Sequence, residues 1–106
     1  MPTLPDPVQA ALDAANRGDV EAFLATFEAA GVVDDWGRQF AGRDAIRAWS
    51  DAEFIGKHVT LEVTGVEHDG VRVLVSAQVG GDGFNGPSHF GFDVDGPRLT
   101  RMTIRA

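Results

Sequence analysis

The sequence contains no cysteine and no tyrosine, and Lys57 is the single lysine among its nine basic residues. The first absence excludes disulfides, thiolate nucleophiles and zinc–thiolate sites together. The second removes the phenol as a proton donor or oxyanion partner anywhere in the chain. Sixteen acids outweigh the nine bases and give a formal charge of −7. Phosphate contact needs clustered Lys and Arg, and here they are scattered, so no nucleic acid partner is expected. No apolar run approaches the roughly 18 residues needed to cross a bilayer, so no membrane partner is expected either. Met1-Pro2-Thr3-Leu4-Pro5 has neither the basic head nor the apolar stretch of a signal peptide. A cytoplasmic protein is the expectation.

What is present fits one globular domain spanning 1–106, with 43% apolar residues to build a core. Val8, Ala11, Leu12 and Ala15 recur at one-face helical spacing, with Asp6-Pro7 as a start signal and Gly18 as a stop. A second helix capped by Asp19 carries the stripe Val20, Phe23, Leu24 and Phe27. The texture then changes: 32–36 reads as a short strand ending in Asp34, Asp35 and Trp36. A Gly-bounded turn leads to a third helix over 42–54, with Ile46, Trp49 and Glu53 on one side. Beyond Gly56 the pattern is four antiparallel strands. Val59, Leu61 and Val63 alternate, Asp69-Gly70 turns the chain, and Val71 to Val79 alternate again. A loop over 80–87 with four glycines precedes Phe90, Phe92 and Val94, and the strand from Leu99 to Arg105 closes the chain. Helices and strands are segregated, which predicts an α+β fold with three helices across one face of a curved sheet, a cone with an open mouth.

Two carboxylates beside an indole at a strand end point to a binding or acid–base site. A carboxylate facing an apolar interior ionises less readily and can move protons near neutral pH, which makes Asp35 the first candidate. Its alternative is a turn residue bonding backbone N–H groups. Asp34, of opposite parity, is expected to be solvated. Trp36 and Trp49 are candidate pocket walls, with core packing as the alternative. Glu53 is either a second carboxylate at the mouth or a last-turn residue in solvent. Arg38 could clamp an acidic substrate or pair with Asp35, which would weaken that base; pairing with Asp34 or Asp44 is the plainer expectation. Ser88 and Phe90 share a parity, so if that side is the interior, a hydroxyl stands among aromatic walls. His58, His68 and His89 lack metal-ligand spacing, and no metal or cofactor is expected.

Several segments together resemble the nuclear transport factor 2-like superfamily, and specifically its small bacterial SnoaL-like members. They are Gly18-Asp19-Val20-Glu21-Ala22-Phe23, Asp34-Asp35, Phe40-Ala41-Gly42-Arg43-Asp44-Ala45-Ile46-Arg47 and Phe92-Asp93-Val94-Asp95-Gly96-Pro97-Arg98-Leu99 with Thr100-Arg101-Met102. The resemblance spans about residues 6–105 and implies a cystatin-like cone. It also implies a homodimer through the outer sheet face. One such scaffold hosts isomerases, cyclases, hydrolases and non-catalytic adaptors, so function has to come from the site. The ketosteroid isomerases of the superfamily carry a general-base aspartate before the glycine that opens the third helix, and Asp35 matches it. Their oxyanion partners, a tyrosine and a protonated acid, have no counterpart here, and Ser88 holds the later position. The resemblance therefore implies a small apolar ligand, carbonyl-bearing in one version, and not steroid isomerisation by that constellation. A dimerisation or sensing module without turnover is the alternative.

Overall fold

The computed structural model describes residues 4–105; Met1, Pro2 and Thr3 of the opening stretch and Ala106 lie outside them. Helix α1 runs Asp6–Arg17 and α2 Val20–Ala25, followed by strands β1 (Phe27–Asp35) and β2 (Arg38–Ala41). Helix α3 (Arg43–Glu53) and a 3-10 turn (Ile55–Lys57) lead into β3 (Thr60–Asp69), β4 (Arg72–Gly80), β5 (Gly86–Asp95) and β6 (Arg98–Arg105). The strands form one sheet in the order β2-β1-β6-β5-β4-β3. Its edges are β2 and β3, so it curves without closing. Register shifts in β1–β6, β3–β4 and β5–β6 supply the bends that curvature needs.

The apolar stripe of α1 is buried as its spacing predicts, with Val8, Ala11, Leu12 and Ala15 all in the core. Proline, not Asp6, occupies the cap position of α1, and Asp6 is already helical. Asp19 does cap α2, its Oδ1 accepting from the Ala22 N–H at 3.0 Å. Asn16 fastens α1 to the sheet by bonding both the N–H and the carbonyl of Leu61, at 2.6 and 3.0 Å. Phe23 packs edge-on to Phe27 with ring centres 5.4 Å apart.

Three elements differ from the sequence expectation. Phe27 belongs to β1 and not to the stripe of α2. Thr26 ends that helix by turning its hydroxyl onto the Phe23 carbonyl at 2.7 Å, while its own carbonyl accepts from the Leu99 N–H of β6. The sheet claims the chain five residues before the expected strand start. Next, the turn after Trp36 opens a further strand, β2, which pairs antiparallel with β1 through a two-residue connection. Trp36 and Gly37 both have positive φ, 55° and 90°, the backbone a type I′ hairpin requires. Finally, the sheet is mixed, because β1 lies parallel to β6 while the other neighbours are antiparallel.

Helix α3 ends one residue earlier than expected, at Glu53. Phe54 breaks the helix, and Gly56 then passes so close to α3 that a Cβ there would stand 1.7 Å from the Asp51 carbonyl oxygen. Only glycine fits. This tight return sets Phe54 and Lys57 beside the inner face of the sheet.

Candidate functional site

The cone is not filled. A cavity of about 370 Å³ opens between α3, the 3-10 turn, the 81–85 loop and the inner face of the sheet. That volume is at the small end of the roughly 300–1,000 Å³ typical of ligand pockets. Its wall includes Asp35, Trp36, Trp49, Glu53, Ser88 and Phe90, so six of the seven residues singled out from sequence come together around one space. Arg38, the seventh, stands behind the wall and bonds two of its members.

Alternation along β1 turns Val33 and Asp35 inward and Asp34 outward. Asp35 sits at the strand end, its side chain 16% exposed. Its Oδ2 accepts two hydrogen bonds, from Arg38 Nη2 at 2.6 Å and from the Trp49 indole Nε1 at 3.1 Å. Asp35 is therefore in an ion pair at the cavity wall and not in wholly apolar surroundings. Oδ1 has no hydrogen-bond partner among the described residues and is the oxygen left for other chemistry.

Arg38 also holds Glu53 through both carboxylate oxygens, at 2.7 and 3.0 Å. This corrects the expected pairing with Asp34 or Asp44. The register places Arg38 directly opposite Asp35 in the β1–β2 hairpin, and the last turn of α3 brings Glu53 to the other side of the guanidinium. Hydrogen bonds from Arg38 hold the Glu53 carboxyl below its usual range, and Glu53 with Asp35 holds the guanidinium above its own. Glu53 is thus both at the mouth and partly in solvent, its side chain 43% exposed.

Trp49, only 3% exposed, stacks on Phe54 with ring centres 4.9 Å apart and faces Phe40 at 6.1 Å. It is core and cavity wall at once, its polar edge committed to Asp35. Trp36 is 61% exposed in the hairpin turn and forms the rim. Ser88 and Phe90 do face the interior, on β5, 5% and 2% exposed. No hydrogen bond satisfies the Ser88 hydroxyl among the described residues.

Asp34 is the clearest correction. It is 8% exposed and not solvated. Arg105 donates to its Oδ1 at 3.0 Å, the Gly37 N–H to the same oxygen at 2.8 Å, and Arg101 approaches Oδ2 at 3.8 Å. Arg101 Nη1 is buried without a hydrogen bond, so its attraction to Asp34 is purely coulombic. The outer face of β1 thereby gains a partly buried charge cluster joining it to β6. Sequence parity gave the direction of Asp34 but could not give the two arginines, which are 67 and 71 positions away.

Other wall residues had weak signals or none. Phe54, Lys57, Val59, Val79, Phe84 and Ile104 complete the lining. Phe84 projects from the loop between β4 and β5, 57% exposed. His58 does not begin a strand; it closes the 3-10 turn at φ 54° and its Nδ1 lies 2.7 Å from an Asp82 carboxylate oxygen. His68 lies in β3 and not in the turn after it. Among the described residues no three His, Cys, Asp or Glu side chains gather as a metal site. None of the described helices is long and apolar enough to cross a membrane.

A model of the SnoaL-like domain matches residues 8–103. The chain belongs to the SnoaL-like domain family. Its fold is shared by a candidate polyketide cyclase from Sinorhizobium meliloti, 31% identical, covering 96% of this chain and 95% of that one with a TM-score of 0.87. A protein from Sphaerobacter thermophilus is 27% identical over 94% of this chain and 92% of its own, with a TM-score of 0.81. A ketosteroid isomerase-like fold protein from Catenulispora acidiphila, solved with trimethylamine, is 25% identical. That likeness covers 98% of this chain and 87% of that one, with a TM-score of 0.82. No curated protein matches the chain in sequence. These likenesses establish the nuclear transport factor 2-like cone; the chemistry has to be argued from the wall of this SnoaL-like domain.

The Arg105 hydrogen bond, then the Gly37 N–H and the charges of Arg105 and Arg101, hold the Asp34 carboxyl below its usual range against the opposing effect of burial. A lowered carboxyl means that the unfolded chain binds the extra proton first, so this stabilisation is complete above the ordinary value of about 3.9 and is lost as pH falls below it. The urea midpoint should therefore fall as pH drops below about 4, with a shallower acid limb in Asp34→Asn. Superimposable slopes in the two proteins would contradict the cluster.

Proposed function

We propose that this SnoaL-like domain binds a modest apolar, carbonyl-bearing small molecule and acts on it by acid–base chemistry, with Asp35 as proton acceptor. The observation that carries the reading is the free Oδ1 of a carboxylate whose other oxygen is fixed by Trp49 and Arg38, on the wall of an open, largely apolar cavity. A base held in one orientation is what proton transfer requires. In such a step Oδ1 takes a proton from the carbon next to the ligand carbonyl. The enolate oxygen accepts a hydrogen bond from Ser88, and Asp35 returns the proton at the same or a neighbouring carbon. Trp36, Trp49 and Phe90 serve as the apolar walls. Glu53 acts through Arg38, as a positioning residue.

The second reading, ligand sensing without turnover, is favoured by one contact. The 2.6 Å ion pair with Arg38 commits one oxygen of Asp35 to a cation, as a structural carboxylate in a ligand-binding wall would be. Both readings use the cavity; they differ in what Asp35 does there.

1-Acetylnaphthalene in D2O separates them, because its acetyl protons exchange when a base abstracts them. Wild-type protein should accelerate that exchange over buffer, and Asp35→Asn should reduce the enhancement about 100-fold. Equal exchange with both proteins would remove Asp35 as the base. Ligand binding with no exchange above buffer would establish the sensing reading.

We further propose a homodimer through the outer sheet face, where Leu74 stands 37% exposed opposite the inward Val73 and Val75. The wild type should sediment as a dimer and Leu74→Glu as a monomer; a monomeric wild type would end the proposal.

A further inference from the structure

Among the described residues that line the cavity, one cationic side chain, Lys57, has no partner. Arg17, Arg38, Arg47, Arg72 and Arg105 each have a carboxylate within hydrogen-bond distance, and Arg101 lies 3.8 Å from one. Arg43 donates to the Phe27 carbonyl. Arg98 has no ion pair or side-chain hydrogen bond among the described residues, but it lies beside Glu21 and Arg47, outside this cavity. Lys57 has no ion pair or side-chain hydrogen bond among the described residues, and it lines the cavity. In a chain of charge −7 this is a notable exception. Two acids beside it are already committed: Glu53, four positions earlier, to Arg38, and Asp82, whose N–H meets the Lys57 carbonyl, to His58.

Lys57 is also well fixed at its base. Its N–H donates to the Phe54 carbonyl at 3.0 Å, and its carbonyl accepts from the Asp82 N–H at 2.8 Å. The strand-connecting loop runs beside its stem: a Cβ added at Gly83 would lie 3.5 Å from both Lys57 Cβ and Cγ. A long side chain so anchored spends less freedom on ligand contact than a wholly free one. Ser88 lines the same cavity, 5% exposed, and its hydroxyl has no hydrogen bond among the described residues, so it is open to a ligand atom.

We propose that Lys57 is the specificity-determining residue of this cavity, and that the ligand is a small apolar carboxylic acid with its carboxylate on Lys57 at the mouth and a polar atom on Ser88 inside. Charge orients it. Asp35, Arg38 and Glu53 together carry one net negative charge and repel an anion from their side, while the lysine attracts it from the other. The inner walls, Trp49, Phe54 and Phe90 among them, then take the apolar body. This inference rests on the binding reading given above and adds the class of ligand.

The test compares two probes, 4-acetyl-1-naphthoic acid, which carries a carboxylate and a second polar atom, and 1-acetylnaphthalene, the ketone that lacks the carboxylate, by quenching of the intrinsic tryptophan fluorescence at pH 7 and low salt. Wild-type protein should bind the acid roughly fivefold more tightly than the ketone, the worth of one partly exposed ion pair, and added salt should erode the preference. Lys57→Met should bring the ratio to about one, and Lys57→Arg should keep it. Ser88→Ala should weaken the acid without removing its salt sensitivity. If wild type binds both probes equally and Lys57→Met changes nothing, the ligand class is wrong while the cavity reading survives. If neither probe binds, both are overturned.

Discussion

One carboxylate oxygen organises this molecule's interior. Asp35 Oδ2 receives the indole N–H of α3 and the guanidinium of β2, so three elements meet at the end of β1. Trp49 could not otherwise lie flat on Phe54 with its polar edge satisfied in a nearly solvent-free position, because a buried N–H without an acceptor is costly. Arg38 in turn draws Glu53, and with it the end of α3, toward the hairpin. The end of α3 is thus tied to the hairpin by charged contacts, while Ile46 is packed in the core at its other end. Between the tied end and the sheet the cone keeps its cavity.

The neighbouring residue does the opposite work on the opposite face. Asp34 points outward, accepts from Gly37 to fix the hairpin turn, and binds Arg105 of β6. Two adjacent acids divide their roles by the pleat of the strand alone. The parallel β1–β6 pairing gives each a different set of partners: Ile104 opposite Asp35 at the cavity, and arginines around Asp34.

Much of this was readable in the sequence, and for identifiable reasons. Helical stripes such as Val8-Ala11-Leu12-Ala15 and alternation such as Val73-Val75-Ala77-Val79 report burial directly, so the elements and their segregation were legible. Parity separated Asp35 from Asp34 and grouped Ser88 with Phe90, but left open which sheet face lines the cone. Strand β2 was not legible, because Arg38-Gln39-Phe40-Ala41 is too short and too polar to alternate, and Trp36-Gly37 is not the Asn-Gly or Asp-Gly pair that announces a tight hairpin. The start of β1 was hidden because Phe27 also completes a helical stripe, and only the claim of β6 on the Thr26 carbonyl decides between them. Ion pairs were the least legible. Arg38 had three candidate acids, Asp34, Asp35 and Asp44, with Glu53 not among them, and Asp34 met arginines from the far end of the chain. Lys57 was visible as the sole lysine, but the tight return at Gly56 that brings it to the cavity depends on a close approach no residue pattern encodes.

The Asp35–Trp49 contact is part of the wall of the cavity proposed to take small apolar molecules. The two tryptophans give two indole N–H resonances in a proton–nitrogen correlation spectrum, and 1-acetylnaphthalene can be titrated against them. The account predicts saturable shifts of both resonances, with Trp49 displaced further when Asp35→Asn weakens its acceptor. Indole resonances that stay fixed at every ligand concentration would mean that the cone admits nothing, and the account would be wrong.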